Sequence, residues 1–165
     1  MIITLEEILS VREARSHTQK VLLKRGNCLI SFTMNIPGNE KRSNLIDKGF
    51  EYGVELIDRT VRDCSFKRKG KLIYHYTAGS VGFWLLDSEA LNVKEAMISI
   101  EEASEIARLF DIDVITNRGI LSRKDFGLSP RTCLICNREA HFCARSQAHS
   151  YEQLSQKVKN LLETI

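Results

Sequence analysis

The stretch Arg108-Leu109-Phe110-Asp111-Ile112-Asp113-Val114 alternates charged and apolar side chains around its two aspartates. A period of two belongs to a strand with one face in a core and the other toward solvent. Ile112 and Val114 then face the core. Asp111 and Asp113 share the opposite face, with Cα atoms roughly 6.5–7 Å apart. Two carboxylates so placed can share one divalent cation or bridge two. A hard ion such as Mg²⁺, working on a phosphate, commonly uses one or two carboxylates plus waters. Asp-x-Asp is also common on solvated strand faces, so the spacing alone does not make a metal site.

Working outward, Asp87-Ser88-Glu89 opens a helix running to about residue 107, with a break near Ser99. Downstream, Asn117-Arg118-Gly119 is a turn that doubles the chain back as a hairpin. Val81 to Leu86 reads as a strand, and so does Leu72 to Thr77, with Tyr74 and Tyr76 on one face. Ala78-Gly79-Ser80 separates them, and 67–71 reads as a polar turn around Gly70. Cys28 to Met34 is a strand buried on both faces, ended by the turn Asn35-Ile36-Pro37-Gly38. Helices are expected over 4–25, capped by Thr4, and over 44–62, where Ile46, Phe50, Val54 and Ile57 recur at helical spacing. A closing helix over 150–164 is capped by Ser150 and buries Leu154, Val158, Leu161 and Leu162. These elements predict one α/β (α+β) domain over residues 1–165. It would have a mixed sheet with helices mainly on one face. Residues 122–150 break the pattern. They are rich in Arg, Cys and His and poor in periodic apolar positions, which predicts an irregular lobe that needs a staple or a ligand.

The composition bounds the function. The chain has 165 residues, 43% of them hydrophobic, enough for a core without disulfides. Its 24 basic and 21 acidic residues leave a net charge of +3. That excludes a polybasic nucleic-acid or membrane-surface binder as the leading idea. No apolar run reaches membrane-spanning length, and the start lacks the basic and apolar regions of a signal peptide. A cytoplasmic protein with neither nucleic acid nor membrane as partner is expected. There is no Gly-x-x-x-x-Gly-Lys phosphate loop and no Gly-x-Gly-x-x-Gly.

Five cysteines, an odd number, argue against a closed disulfide framework. Three of them cluster as Cys133-x2-Cys136-x6-Cys143, followed by His149. A Cys-x2-Cys knuckle with a third Cys and a His can complete a tetrahedral zinc site. Reduced cysteines in a loose turn remain the alternative. Arg12, Arg15, Arg118, Arg123, Lys124, Arg131, Arg138 and Arg145 form a basic scatter. Guanidinium forks suit phosphate oxygens, although such scatter is commonly a solvated surface.

The segment Ser122-Arg123-Lys124-Asp125-Phe126-Gly127-Leu128-Ser129-Pro130-Arg131-Thr132-Cys133-Leu134-Ile135-Cys136, continued by Cys143-Ala144-Arg145-Ser146-x2-His149-Ser150, resembles the signature of the apo-citrate lyase phosphoribosyl-dephospho-CoA transferases. Arg12-Glu13-Ala14-Arg15, Ser31-Phe32-Thr33-x-Asn35-Ile36-Pro37-Gly38, Ala78-Gly79 and Arg108-Leu109-x-Asp111-x-Asp113-Val114 are similar too, in the same order along nearly the whole chain. The resemblance implies a nucleotidyltransferase-like fold. It implies transfer of phosphoribosyl-dephospho-CoA from triphosphoribosyl-dephospho-CoA to a serine of the citrate lyase acyl carrier subunit, with release of pyrophosphate. Asp111 and Asp113 would hold Mg²⁺ as the catalytic pair. Arg12, Arg15, Asn35, Gly38, Arg108, Arg145, Ser146 and His149 would meet the substrate, His149 doubling as a zinc ligand. Arg118, Arg123, Lys124, Arg131 and Arg138 would steer the acidic carrier. One departure stands out: Ser104-Glu105-Ile106-Ala107 occupies the place of a His-Pro-Leu-Gly stretch common in the family. A zinc-stabilised interaction module without catalysis is the rival reading, and it has no use for the aspartate pair.

Overall fold

The computed structural model describes residues 3–165; Met1 and Ile2 lie outside the described residues. Strand β1 (Cys28–Met34) is central, and its first five residues are buried. It pairs with β3 (Gly79–Leu86) on one edge and β4 (Phe110–Thr116) on the other. β2 (Arg68–Tyr76) and β5 (Gly119–Ile120) complete the order β2-β3-β1-β4-β5.

Every neighbouring pair is antiparallel, which corrects the expected mixed sheet. The reason is topological. β2–β3 and β4–β5 are hairpins, and hairpins pair antiparallel. β3 and β4 run the same way and are joined by helix α3 (Ala90–Glu102), as in a parallel crossover. β1 is inserted between them, so no parallel neighbours remain.

Three helices cover one face, as expected. α2 (Asn44–Asp63), α3 and α5 (Tyr151–Leu162) bury Ile57, Met97 and Leu161 against Phe32, Trp84 and Ile112 of the sheet. α1 (Leu5–Leu23) lies alone on the other face, where Leu23 packs with Leu29, Phe83 and Ile115. The Thr4 and Ser150 caps form, each closing a reciprocal capping box. No helix among the described residues is long and apolar enough to cross a membrane.

Three local expectations differ. Residues 68–71 are strand rather than turn, because Arg68 and Lys71 reach Asp58 of α2 at 3.1 and 2.5 Å and tie the edge strand down. The same carboxylate accepts from Trp84 Nε1 at 2.8 Å. α3 passes through Ser99, whose hydroxyl donates to Glu95 O, and stops at Glu102; a short 3₁₀ turn, Ile106–Leu109, then leads into β4. The Cys/His-rich lobe contains a short helix, α4 (Ala140–Ser146).

The outer edge of β4 is sealed by charged side chains. β5 pairs only with Ile115 and Thr116. At Ile112 the N–H donates to Glu101 Oε1 at 3.0 Å, and the carbonyl accepts from Lys94 Nζ at 2.9 Å. Both side chains are buried. Unmet backbone groups at such depth are costly. Lys94→Ala should therefore lower stability by about 1–3 kcal/mol, read by urea unfolding. An unchanged midpoint would show that water replaces the lysine.

Candidate functional site

The β4–β1 register sets Asp111 opposite Thr33 and Asp113 opposite Ser31. The intervening Ile112 and the following Val114 are 1% and 0% exposed, in the core on the other side. Both aspartates therefore share the face covered by α1. Gln19 of α1 donates to Ser31 Oγ at 3.0 Å and lies across this face. Thr33 Oγ1 donates to Asp111 Oδ2 at 3.5 Å. Asp111 is exposed and Asp113 half-buried. Burial, then the charge of Asp111, push the Asp113 carboxyl above its ordinary range; Lys94, Arg15 and Arg131 offset this in part. Two carboxylates on one strand face are oxygen donors of the kind a hard divalent ion takes.

Asp111 opens onto a cleft of about 260 Å³ that also takes in Arg12, Arg15, Asn35 and Lys41. Among the described residues none of these three cations makes an ion pair. Lys41 Nζ donates to the Ile36 carbonyl. Burial and the neighbouring Arg12 charge lower the Lys41 pKa, a sign of crowded positive charge. Fixed cations without carboxylate partners attract phosphate. Sequence reasoning missed Lys41 as a site residue. It stands in the loop before α2, and only tertiary packing brings that loop to Arg12. Gly79, at φ +116° at the start of β3, supplies another wall; a Cβ there would sit 3.8 Å from that of Lys41.

Gly38, Arg108 and His149 line a different and larger cavity of about 1170 Å³, and Asn35 lines both. Gly38 has φ +74°, and a Cβ on it would fall 2.1 Å from the Tyr151 ring, so glycine is required by conformation and by contact. Arg108 braces the lobe, donating to the Cys133 carbonyl at 2.6 Å. Arg145 and Ser146 are exposed and line neither cavity; the Ser146 hydroxyl donates to Phe142 O within α4. Arg123 and Arg131 turn inward. Arg123 pairs with Glu102, and both lie within 3.9 Å of Glu101. That leaves Arg118, Lys124 and Arg138 as the exposed members of the proposed steering group.

The lobe does assemble a four-ligand cluster. Ligand atoms of Cys133, Cys136, Cys143 and His149 all lie within 4.8 Å of one another. Cys136 and Cys143 Sγ are 3.5 Å apart, near the roughly 3.8 Å that two 2.3 Å Zn–S bonds subtend at a tetrahedral ion. His149 Nε2 is buried and lacks a hydrogen-bond partner. Buried polar atoms are rarely left so, and a metal would satisfy this one. Hydrogen bonds from the Arg138 backbone and side chain hold the Cys136 thiol below its ordinary range. The set therefore fits a soft tetrahedral metal.

The family model described as apo-citrate lyase phosphoribosyl-dephospho-CoA transferase matches residues 3–165. The chain belongs to that transferase family. Proteins named apo-citrate lyase phosphoribosyl-dephospho-CoA transferase from Escherichia coli O139:H28 (strain E24377A / ETEC) and Escherichia coli O8 (strain IAI1) are each 33% identical over 165 residues, covering 99% of this chain and 90% of theirs. "Protein CitXG" of Haemophilus influenzae is 33% identical over 163 residues, 98% of this chain. The chain spans only 35% of that longer relative. Against the family pattern, the departing segment divides in two. Ile106 and Ala107 are buried in the core, whereas Ser104 and Glu105 border the larger cavity of this transferase.

Proposed function

We propose that the chain attaches phosphoribosyl-dephospho-CoA, taken from triphosphoribosyl-dephospho-CoA, to a serine of the citrate lyase acyl carrier subunit in the cytoplasm. The serine oxygen bonds to the α-phosphorus, the bond to the β-phosphate oxygen breaks, and pyrophosphate leaves. The hydroxyl proton passes to an aspartate carboxylate or to water, and a phosphodiester remains. The whole chain, including the 122–150 lobe, is read as one transferase domain. The observation that carries the reading is Asp111, which shares a strand face with Asp113 and a cleft with Arg12, Arg15 and Lys41, three cations unpaired among the described residues.

Asp111 and Asp113 would hold Mg²⁺, which when bound supplies charge neutralisation at the phosphates. Arg12, Arg15 and Lys41 bind and orient the polyphosphate. They also meet charge that grows on the leaving pyrophosphate, where a preplaced cation counts most. Cys133, Cys136, Cys143 and His149 would hold zinc as a structural staple. The rival non-catalytic zinc module accounts for this cluster but leaves the acid pair and the cations unexplained.

Incubating the chain with donor, carrier and Mg²⁺ should release pyrophosphate, and omitting Mg²⁺ should abolish the release. Equal release with and without Mg²⁺ would remove the metal from the account. No release at all would remove the reaction.

A further inference from the structure

The cleft at Asp111, about 260 Å³, falls below the roughly 300–1,000 Å³ of typical small-molecule sites. A donor built of a triphosphate, two riboses, an adenine, a diphosphate and a pantetheine arm is larger than a drug-sized ligand. Most of it must lie outside the cleft. The adjoining cavity, about 1170 Å³, has room, and Asn35 borders both spaces. The Asn35 N–H donates to Leu109 O at 2.8 Å, which pins the backbone at the junction.

The two spaces differ in charge. In the cleft Arg12, Arg15 and Lys41 stand unpaired among the described residues. In the larger cavity Arg108, Arg123 and Arg131 are matched by Glu105, Glu102 and Glu101. Their guanidiniums are further engaged by the carbonyls of Cys133, Ser129 and Arg108. The rest of the wall is largely apolar, with Pro37, Leu128, Pro130, Leu134 and Leu154. Tyr151, half exposed and held against Gly38, offers a ring face. Its apolar and aromatic walls suit a nucleobase and a flexible amide arm, its three guanidiniums can meet the diphosphate that joins them, and its matched charges leave the more highly charged triphosphate to the cleft.

We propose that this larger cavity binds the adenosine–pantetheine portion of the donor, with the triphosphoribosyl end threaded past Asn35 into the cleft. The inference rests on the transfer reading above and adds a second subsite to it. Because Cys133, Cys143 and His149 stand in its wall, the folded lobe also shapes this subsite.

Isothermal titration of the full chain with two probes, dephospho-CoA and inorganic triphosphate, tests the division. Leu128→Trp and Ser104→Trp fill the cavity from two separate exposed segments. Each should weaken dephospho-CoA about tenfold or more while sparing triphosphate, and retained triphosphate binding also certifies the fold. Arg12→Ala should do the reverse. The subsite is overturned if wild-type chain fails to bind dephospho-CoA, or if folded forms of both tryptophan variants bind it as wild type does. The transfer reading is scored separately, by pyrophosphate release from the complete donor. Cavity-dependent dephospho-CoA binding without that release would uphold the subsite and sink the reaction. Release with dephospho-CoA binding insensitive to both variants would do the opposite.

Discussion

Asp111→Asn and Asp113→Asn should each fold and each lose transfer by about a thousandfold or more, the scale on which removing a preorganised charge at a phosphoryl centre is felt. The loss should appear in kcat, because the arginines and Lys41 proposed to bind the donor remain. Stability should move the other way at Asp113. Its carboxyl is raised above the ordinary 3.8 by burial and by Asp111. The folded state thus holds this proton more tightly than the unfolded chain does. The favourable contribution is complete below the ordinary carboxylate pKa and is lost as pH rises through the raised folded value. At neutral pH, Asp113→Asn should therefore melt no lower than wild type, and the advantage should vanish in acid. A near-normal rate in either variant would end the role assigned to that aspartate. A strongly lowered melting temperature in Asp113→Asn would show a structural carboxylate instead.

The second large effect concerns the lobe. Structural zinc in small domains contributes on the order of 10 kcal/mol of binding free energy, coupled to folding. The chain should carry one zinc, measured by elemental mass spectrometry. Chelation, or Cys143→Ser, should strip hydrogen-exchange protection from residues 122–150 and leave β1, β3 and β4 protected. Beyond the contacts of Arg108, Arg123 and Arg131, the lobe buries little of its own. Cys133 and Cys143 are its buried side chains, and its short helix α4 has no side-chain cap. Unaltered protection after complete chelation would mean that the cysteines pack as ordinary thiols.

Much of this architecture is legible in local pattern. Alternation in 110–114 places Asp111 and Asp113 together on one face because side-chain direction on a strand depends only on parity. Thr4 and Ser150 are readable as caps because capping is a contact over three residues. What escapes is long-range. Insertion of β1 between β3 and β4 is decided by tertiary packing, and it alone turns an expected mixed sheet antiparallel. Glu101 and Lys94 look like solvent-facing helix charges until the short β5 leaves Ile112 needing partners. Arg108 neighbours the aspartates in sequence, yet the 3₁₀ turn before β4 directs it to the lobe. Lys41 is the converse, distant in sequence and joined to Arg12 by folding. The four zinc-ligand candidates were readable because cysteine and histidine spacing carries its own chemistry.

The aspartate cleft is proposed to join a phosphoribosyl-dephospho-CoA group to a carrier serine. Intact-mass spectrometry of the purified citrate lyase acyl carrier, after incubation with this chain, Mg²⁺ and triphosphoribosyl-dephospho-CoA, tests it most directly. The account predicts a single phosphoribosyl-dephospho-CoA addition on a serine, matched by one pyrophosphate per carrier and missing with Asp111→Asn. A carrier that stays unmodified in the presence of folded, metal-loaded wild-type chain would contradict it.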